Sequence, residues 1–513
     1  MKRIMNFRPI VMLCLSLILG IVFATFVFVS ENLKIVFLIL ALLVFICLIV
    51  LAIIFKKKFI VLLSVAVLVF AVPISVIFAN QKIYNSNLKY NNEELVIEGR
   101  ICENYSFSSK GYLCLTLDNV EIIGADFKDN IDGKVRVYLS AQNKDLSKLT
   151  VGRFVSCFGE ININNLNDGS KYSLSNLSNN IVATAFASYS NLNVKNKIET
   201  SLDEKARNHV YQKLQDYNVE YAEIGYGIMF GDDTFIDDNV IDSFRTTGIA
   251  HILSVSGLHI SIIVAVIMFV LSRLKTSNYA NLIIMSIILT IYAYFCDFSV
   301  SVIRASIMSI MFLYFKARHK YYDRLSSLAF AAFLILLFKP LKLFNVSFIL
   351  SFVSVLSIIL LIKLFERVFD KCFYTKMAKS LAVIIAVQLG LTLIQLYFFN
   401  KYSPVTIFCN FVSIPVSTVA FIVLILGISI SIVFPFMSFV LKGYDFLMGI
   451  VVKFNFTLSK SALVLMINDL NIFVVFLGLL FMVLISDYLF IKKRYKTIGA
   501  SSIFIITLVL LLA

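Results

Sequence analysis

Eleven residues, His251 to Ser261, read HILSVSGLHIS and hold the densest set of chemically capable side chains in this sequence. Two of the four His in the protein, three Ser and a Gly stand at the head of a run that stays apolar to Leu271. Hydrocarbon offers such groups no water. In a membrane-length segment each must therefore face protein interior or a wet cavity, and the default reading is a substrate path. On a straight helix His259 is turned about 80° from His251 and Ser256 about 140°, so one face could carry both His and Ser254 but hardly all four. Gly257 is a candidate break at which backbone groups open onto the cavity. A metal centre needs three or four ligands, and two His without a carboxylate in the segment do not supply them. No G-x-S-x-G elbow surrounds Ser254 or Ser256, which weakens a Ser–His hydrolase. Polar pore lining and helix–helix hydrogen bonding remain as the two readings.

A second polar intrusion is Arg304, near the centre of FSVSVIRASIMSIMFLYF. A central Arg costs about 2.5–3.5 kcal/mol to insert, so it should face the bundle interior. There it is either a cation that attracts phosphate or another anion, or a structural partner for carbonyls or for a carboxylate such as Asp297. Later apolar runs add Gln388, Gln395, Asn400 and Asn410. Gln388 and Gln395 are seven apart and share a helix face. Pore lining and bundle glue are equally open for these amides. Upstream, the acidic run DDTFIDD reads as a solvated surface, with Gly231, Asp232 and Asp233 forming a turn between short helices.

The elements that must position these groups are membrane helices. The chain is 59% hydrophobic and only 15% charged, with a mean hydropathy of +0.89. A soluble protein would have roughly a quarter of its residues charged. Trp is absent, so Tyr and Phe must form any interfacial belt. Apolar runs at Pro9–Val29, Leu33–Phe55 and Phe59–Ala79 each reach the roughly 20 residues of a spanning helix. A second block of spans begins at His251 and continues through Tyr279–Cys296, Val300–Phe315, Leu325–Phe338, Phe344–Leu364 and Leu381–Phe399. It ends with Val405–Phe434, Phe436–Val452, Ile472–Ile491 and Ile498–Ala513. Pro404, Pro415 and Pro435 mark plausible breaks, and Val405–Phe434 is long enough for two pieces. The expected fold is an α-helical polytopic membrane protein of about 11–13 spans with an inserted small all-β domain.

Charge placement sets the expected topology. Residues 81–200 hold 13 basic and 13 acidic side chains, so the net +15 lies elsewhere, in short loops such as Lys56–Lys58, Lys316–Arg324, Arg367–Lys379 and Lys492–Lys496. The positive-inside bias puts these loops and the N-terminus in the cytoplasm and the neutral region outside. That region contains ELVIEGRIC, GYLCLTLDNVEI, GKVRVYL, GRFVSCFGEI and NIVATAFA, alternating runs punctuated by Gly and Asn. They read as about five strands of a small barrel, of which an OB-like fold is one form. Cys102 and Cys114 are symmetric about Ser108, and a hairpin turning there would set the two thiols opposite each other at a disulfide-spanning separation. The resulting division is 1–80 N-terminal helices, 81–200 extracytoplasmic β-domain, 201–248 amphipathic connector helices and 249–513 channel domain.

These residues resemble the competence family, the ComEC-type channels that bring transforming DNA across the bacterial inner membrane. The family pattern G-D … F-x-x-x-G-x-x-H-x-x-x-V-S-G-x-H is met by Gly231, Asp232, Phe244, Gly248, His251, Val255, Ser256, Gly257 and His259. SVIRASIM around Arg304 is similar to the S-V-V-R-A segment, though Val300 stands where a Pro often precedes it. SPVTIFCNFVSIP matches a further element at Ser403, Asn410 and Pro415. NVSFILSF resembles G-F-Q-L-S-F, with Ser347 and Ile349 in place of the Gly and Gln. The resemblance implies N-terminal helices, an extracytoplasmic OB-like domain and a channel for single-stranded DNA. Its path would include His251, Ser254, Ser256, Gly257, His259, Arg304, Gln388, Gln395 and Asn410. Many members end in a metallo-β-lactamase-like domain, and this sequence has no H-x-H-x-D-H cluster, so the chain is expected to be no nuclease, nor any other enzyme, by itself. No G-x-x-x-x-G-K-[ST] phosphate loop appears, and no cofactor or metal is expected. The partners implied are single-stranded DNA, the lipid bilayer, a DNA receptor, a separate nuclease and a cytosolic DNA translocase.

Tyr105, Phe107, Tyr112, Tyr138 and Phe154 are candidate stacking platforms for bases, although a neutral barrel argues against strong nonspecific affinity. Two rival readings are a transporter or flippase of a small or lipid-linked anion on the same fold, and an intramembrane enzyme using His251 or His259 as general base.

Overall fold

The computed structural model describes residues 8–26, 65–77 apart from 68 and 75, 87–107, 111–124, 127–140, 149–164, 171–233, 235–369, 375–467 and 470–486. The expected spans at Leu33–Phe55 and Ile498–Ala513 lie outside them. Pro9–Ala206 and Ala332–Phe348 cluster into one compact unit, and the rest of the chain into another.

The first unit holds helix α1 (Pro9–Phe26) and the β-domain. Its strands are β1 (Glu93–Phe107), β2 (Leu113–Ile123), β3 (Lys128–Ile131), β4 (Lys134–Ser140), β5 (Arg153–Ile163), β6 (Ile181–Ser188) and β7 (Asn193–Ile198). Alternating inward residues such as Ile97, Leu115, Leu117, Val135, Val137, Val155 and Ile161 are fully buried, as a half-solvated strand requires. The order β1-β2-β4-β6-β5 closes through β1–β5, with every pair antiparallel except β4–β6. Closure removes the free edges of these five strands and is compatible with the OB-like barrel expected. Helix α2 (Lys171–Ser178) bridges β5 and β6. Strand β7 borders the start of β5.

The hairpin register overturns the proposed disulfide. Cys114 pairs with Ser106, whereas Cys102 lies between positions paired with Leu117 and Thr116 and donates its thiol to the Thr116 carbonyl at 3.4 Å. Bulges between Ile101 and Glu103 and between Glu103 and Ser106 add residues to β1, so symmetry about Ser108 is lost. Neither thiol is in a disulfide. Burial pushes the Cys102 thiol up to about 12, so at pH 8 it stays protonated and unreactive. Non-reducing mass analysis after iodoacetamide treatment at pH 8 should find no 102–114 bridge, with Cys102 alkylated at least about tenfold more slowly than a solvated thiol. A bridged peptide would refute the register.

After β7 the described chain is mostly helical. The connector forms α3 (Leu202–Asp216), α4 (Ala222–Phe230) and α5 (Asp238–Thr246), and then come α6 (Gly257–Arg273), α7 (Asn278–Phe295), α8 (Val300–Ala317) and α9 (Arg324–Phe338). The remaining helices are α10 (Val346–Phe369), α11 (Thr375–Phe399), α12 (Thr406–Val433), α13 (Leu441–Ser459) and α14 (Ile472–Ile485). Among the described residues seven helices are long and apolar enough to cross a membrane: α6 with its leading turn, α7, α8, α10, α11, α12 and α13 with the turn before it. Helices α1, α9 and α14 are equally apolar but shorter. The chain is therefore a polytopic helical membrane protein with a separate β-domain.

One expected break is absent. Helix α12 runs unbroken for 28 residues with Pro415 inside it. An interior Pro costs about 3 kcal/mol. The stripe Cys409, Ser413, Ala420, Phe421, Leu424 and Ile428, buried at helical spacing, offsets that cost. The same core takes Leu214, Ile224 and Phe244 from the connector helices and Tyr444 from α13, whose hydroxyl donates to the Tyr221 carbonyl at 3.0 Å.

Candidate functional site

The HILSVSGLHIS segment is not one straight helix. His251 sits in a single 3-10 turn, Ala250–Ile252, and α6 starts only at Gly257. The expected shared face of His251, Ser254 and His259 is therefore replaced by a kinked entry, with His251 and Ser254 exposed and His259 only 3% exposed.

Local chemistry explains the kink. Gly248 has φ +74°, a left-handed turn that ends the α5 segment, and a Cβ there would overlap the Thr406 hydroxyl. Ser256 is extended and caps α6, and its backbone N–H donates to His259 Nδ1 at 3.1 Å. This is a capping box in which an imidazole replaces the usual Glu or Gln. Accepting at Nδ1 puts the ring proton on Nε2. The ring also packs on Phe421 of α12, centroids 4.4 Å apart. His259 is thus locked by its own helix turn and by a neighbour.

Gly248→Ala should lower the melting temperature by several degrees, because the left-handed backbone costs about 1–2 kcal/mol for an L-residue and the methyl meets Thr406 as well. Gly111→Ala, with φ +80° and open space, serves as the comparator. Equal melting shifts in a fluorescence-detected assay would remove the packing argument.

Arg304, on α8, is 5% exposed. It donates through Nη1 to the Ser351 carbonyl of α10, its Nη2 lies where a Cβ on Gly257 would be, and the Phe352 ring centre is 5.9 Å from its guanidinium carbon. Nε is buried without a partner. Among the described residues no carboxylate pairs with Arg304, and Asp297 instead holds Arg207 at 2.7 Å. Ser301 donates to the Ser351 hydroxyl at 3.1 Å, tying α8 to α10 beside the guanidinium. The structure thus joins Gly257 to Arg304, and Ser256 to His259.

The amides do not join them. Gln388 is 5% exposed with Nε2 unpartnered, Asn410 is 7% exposed with Oδ1 unpartnered, and Gln395 is half-buried. Among the described residues no hydrogen bond links any of the three to His259 or Arg304. Sequence reasoning missed Ser351, Phe352, Phe421 and the buried Asn455–Ser413 bond of 3.0 Å. Ser351 and Phe352 fall in NVSFILSF, a stretch already singled out, so that signal was available. Nothing in sequence pointed to Phe421, which looks like any lipid-facing aromatic. On the barrel, Tyr138 is stacked on Phe186, centroids 5.2 Å apart, and Lys197 covers Phe154 at 4.2 Å.

The fold and this polar centre define a class: a multi-pass helical membrane protein with a buried Arg between spans that, among the described residues, no carboxylate pairs. Within that class the chain belongs to the Competence protein family, whose pattern it matches over residues 228–489. ComE operon protein 3 of Bacillus subtilis (strain 168) is 28% identical over 188 residues, 37% of this chain and 24% of that protein. Recombination protein 2 of Haemophilus influenzae (strain ATCC 51907 / DSM 11121 / KW20 / Rd) is 25% identical over 231 residues, 42% of this chain and 29% of that protein. An uncharacterized protein of Aquifex aeolicus (strain VF5) is 31% identical over 156 residues, 30% of this chain and 36% of that protein. The matches thus span well under half the length of each relative. No solved structure matches the chain.

Proposed function

We propose that this chain conducts single-stranded DNA through the cell membrane into the cytoplasm during natural transformation, with its N-terminus cytoplasmic and its β-domain outside. Family membership and the relatives named for the ComE operon and for recombination support a role in DNA uptake. The observation that carries the reading is Arg304, a buried guanidinium on a candidate span that, among the described residues, has one carbonyl partner and an unused Nε. Such a cation is costly to bury and is retained where an anion must pass or pause. His251, Ser254, Ser256, Gly257 and His259 form the polar entry to it, and Gln388, Gln395 and Asn410 contribute further polar wall. A DNA receptor, a separate nuclease and a cytosolic translocase would deliver, trim and pull the strand.

The test is uptake of fluorescently labelled DNA into the cytoplasm of a deletion strain, with and without the gene restored. Loss on deletion and recovery on restoration are expected. Undiminished uptake in the deletion strain would remove the proposal and redirect the search to a small or lipid-linked anion.

A further inference from the structure

A cluster of cations that outnumbers its one carboxylate, Glu103, lies in the first unit, beside the β-domain. The turn Pro340–Phe344 connects the shorter apolar helix α9 to α10, which is long and apolar enough to cross a membrane, and a turn at the end of such a span belongs at a bilayer surface. Helix α2 of the β-domain packs against this turn. Asn179 Oδ1 accepts from Lys342 Nζ at 3.1 Å and from Asn345 Nδ2 at 2.8 Å. One turn back, Asn176 accepts from Arg136 Nη1 at 3.3 Å. Asn176 is 3% exposed, yet its Nδ2 has no partner. Lys134, on the same strand as Arg136, is neutralised by Glu103 at 2.6 Å, but among the described residues no carboxylate pairs with Lys342 or Arg136. Burial, with Lys339 and Lys134 nearby, pulls the Lys342 ammonium down to about 8. Glu103 acts against that pull and also faces Arg136, but it is one carboxylate, already engaged by Lys134, among several cations.

We propose that Lys342, Arg136 and the free Asn176 amide hold the phosphate of an anionic phospholipid headgroup, seating the β-domain on the bilayer surface. A lone phosphate site fits a single headgroup. A nucleic-acid strand calls for a groove with cations repeated along it, and the β-domain region is neutral overall. Basic pockets beside membrane helices bind acidic headgroups by the same chemistry. The inference is independent of what the protein conducts.

The test is lipid retention by the full-length protein, purified in detergent and titrated with phosphatidylglycerol or phosphatidylcholine under native mass spectrometry. Wild type should prefer phosphatidylglycerol by at least tenfold, and the double variant Lys342→Gln/Arg136→Gln should lose that preference. Lys205→Gln, an exposed charge removal on α3, should keep it. Lipid-free melting temperatures of the variants show whether a loss merely reflects misfolding, and the single variant Arg136→Lys, which keeps the charge, should retain part of the preference. Equal binding of both lipids, or an unchanged preference in the double variant, overturns the site. Displacement of phosphatidylglycerol by a twenty-nucleotide oligo-dT at equal concentration also overturns it, in favour of nucleic acid.

Discussion

Arg304→Met should cut DNA uptake by roughly a hundredfold in a strain whose membranes contain normal amounts of the protein. Met fills much of the volume of the Arg stem and removes a charge that costs about 2.5–3.5 kcal/mol to insert, so insertion is not impaired. What is lost is the donor to the Ser351 carbonyl and the positive charge beside Gly257. A hydrogen bond from a charged group is worth about 1.5–3 kcal/mol. Applied to a strand that must pass this point, that is roughly a 10- to 150-fold effect. Arg304→Lys keeps the charge but not the planar fork, and should fall between the two. Normal uptake by a well-expressed Met variant would show that the guanidinium only ties α8 to α10, and the proposed path would then lie elsewhere.

Gly257→Ala is the second large effect, and it acts through the same guanidinium. The added methyl would overlap Arg304 Nη2, and the nearest relief is for the guanidinium to swing away from Ser351. We expect at least a tenfold fall in uptake. Residues in direct contact couple by about 0.5–3 kcal/mol. The same Ala placed in an Arg304→Met background should add almost nothing, because Met has no Nη2 to displace. Uptake measured across this four-member cycle checks it. If the two losses multiply instead, Gly257 acts on the helix start rather than on Arg304.

The two substitutions probe features of different legibility. Arg304, His259 and Gly257 announce themselves as polar or small residues in apolar runs, because hydrocarbon makes such positions expensive. Membrane helices from α7 to α13 follow from hydropathy for the same reason, and most observed ends fall within a few residues of the expected ones. The pairing of Gly257 with Arg304 across α6 and α8 is invisible in sequence, since 47 residues separate them and no local rule reports a close approach between helices. Helical spacing also misplaced His251, because a straight-helix projection ignores the Gly248 turn and the Ser256 cap.

In the β-domain, alternation located strands, but bulges in β1 moved the register and separated Cys102 from Cys114. The Pro415 break failed in the opposite direction: local preference disfavoured a continuous α12, and the packed stripe overrode it.

What the sequence alone determined is the class of solvent each segment needs: apolar spans for lipid, alternating strands for a half-solvated barrel, and the costly residues that must turn inward. Those are properties of single segments, readable from side-chain transfer energies. Only the tertiary structure decided which inward-facing groups meet, placing Arg304 against Gly257 and Ser351, and His259 against Phe421. Contacts of that kind depend on how separate helices pack, and packing is a property of pairs of surfaces that no single stretch of chain contains.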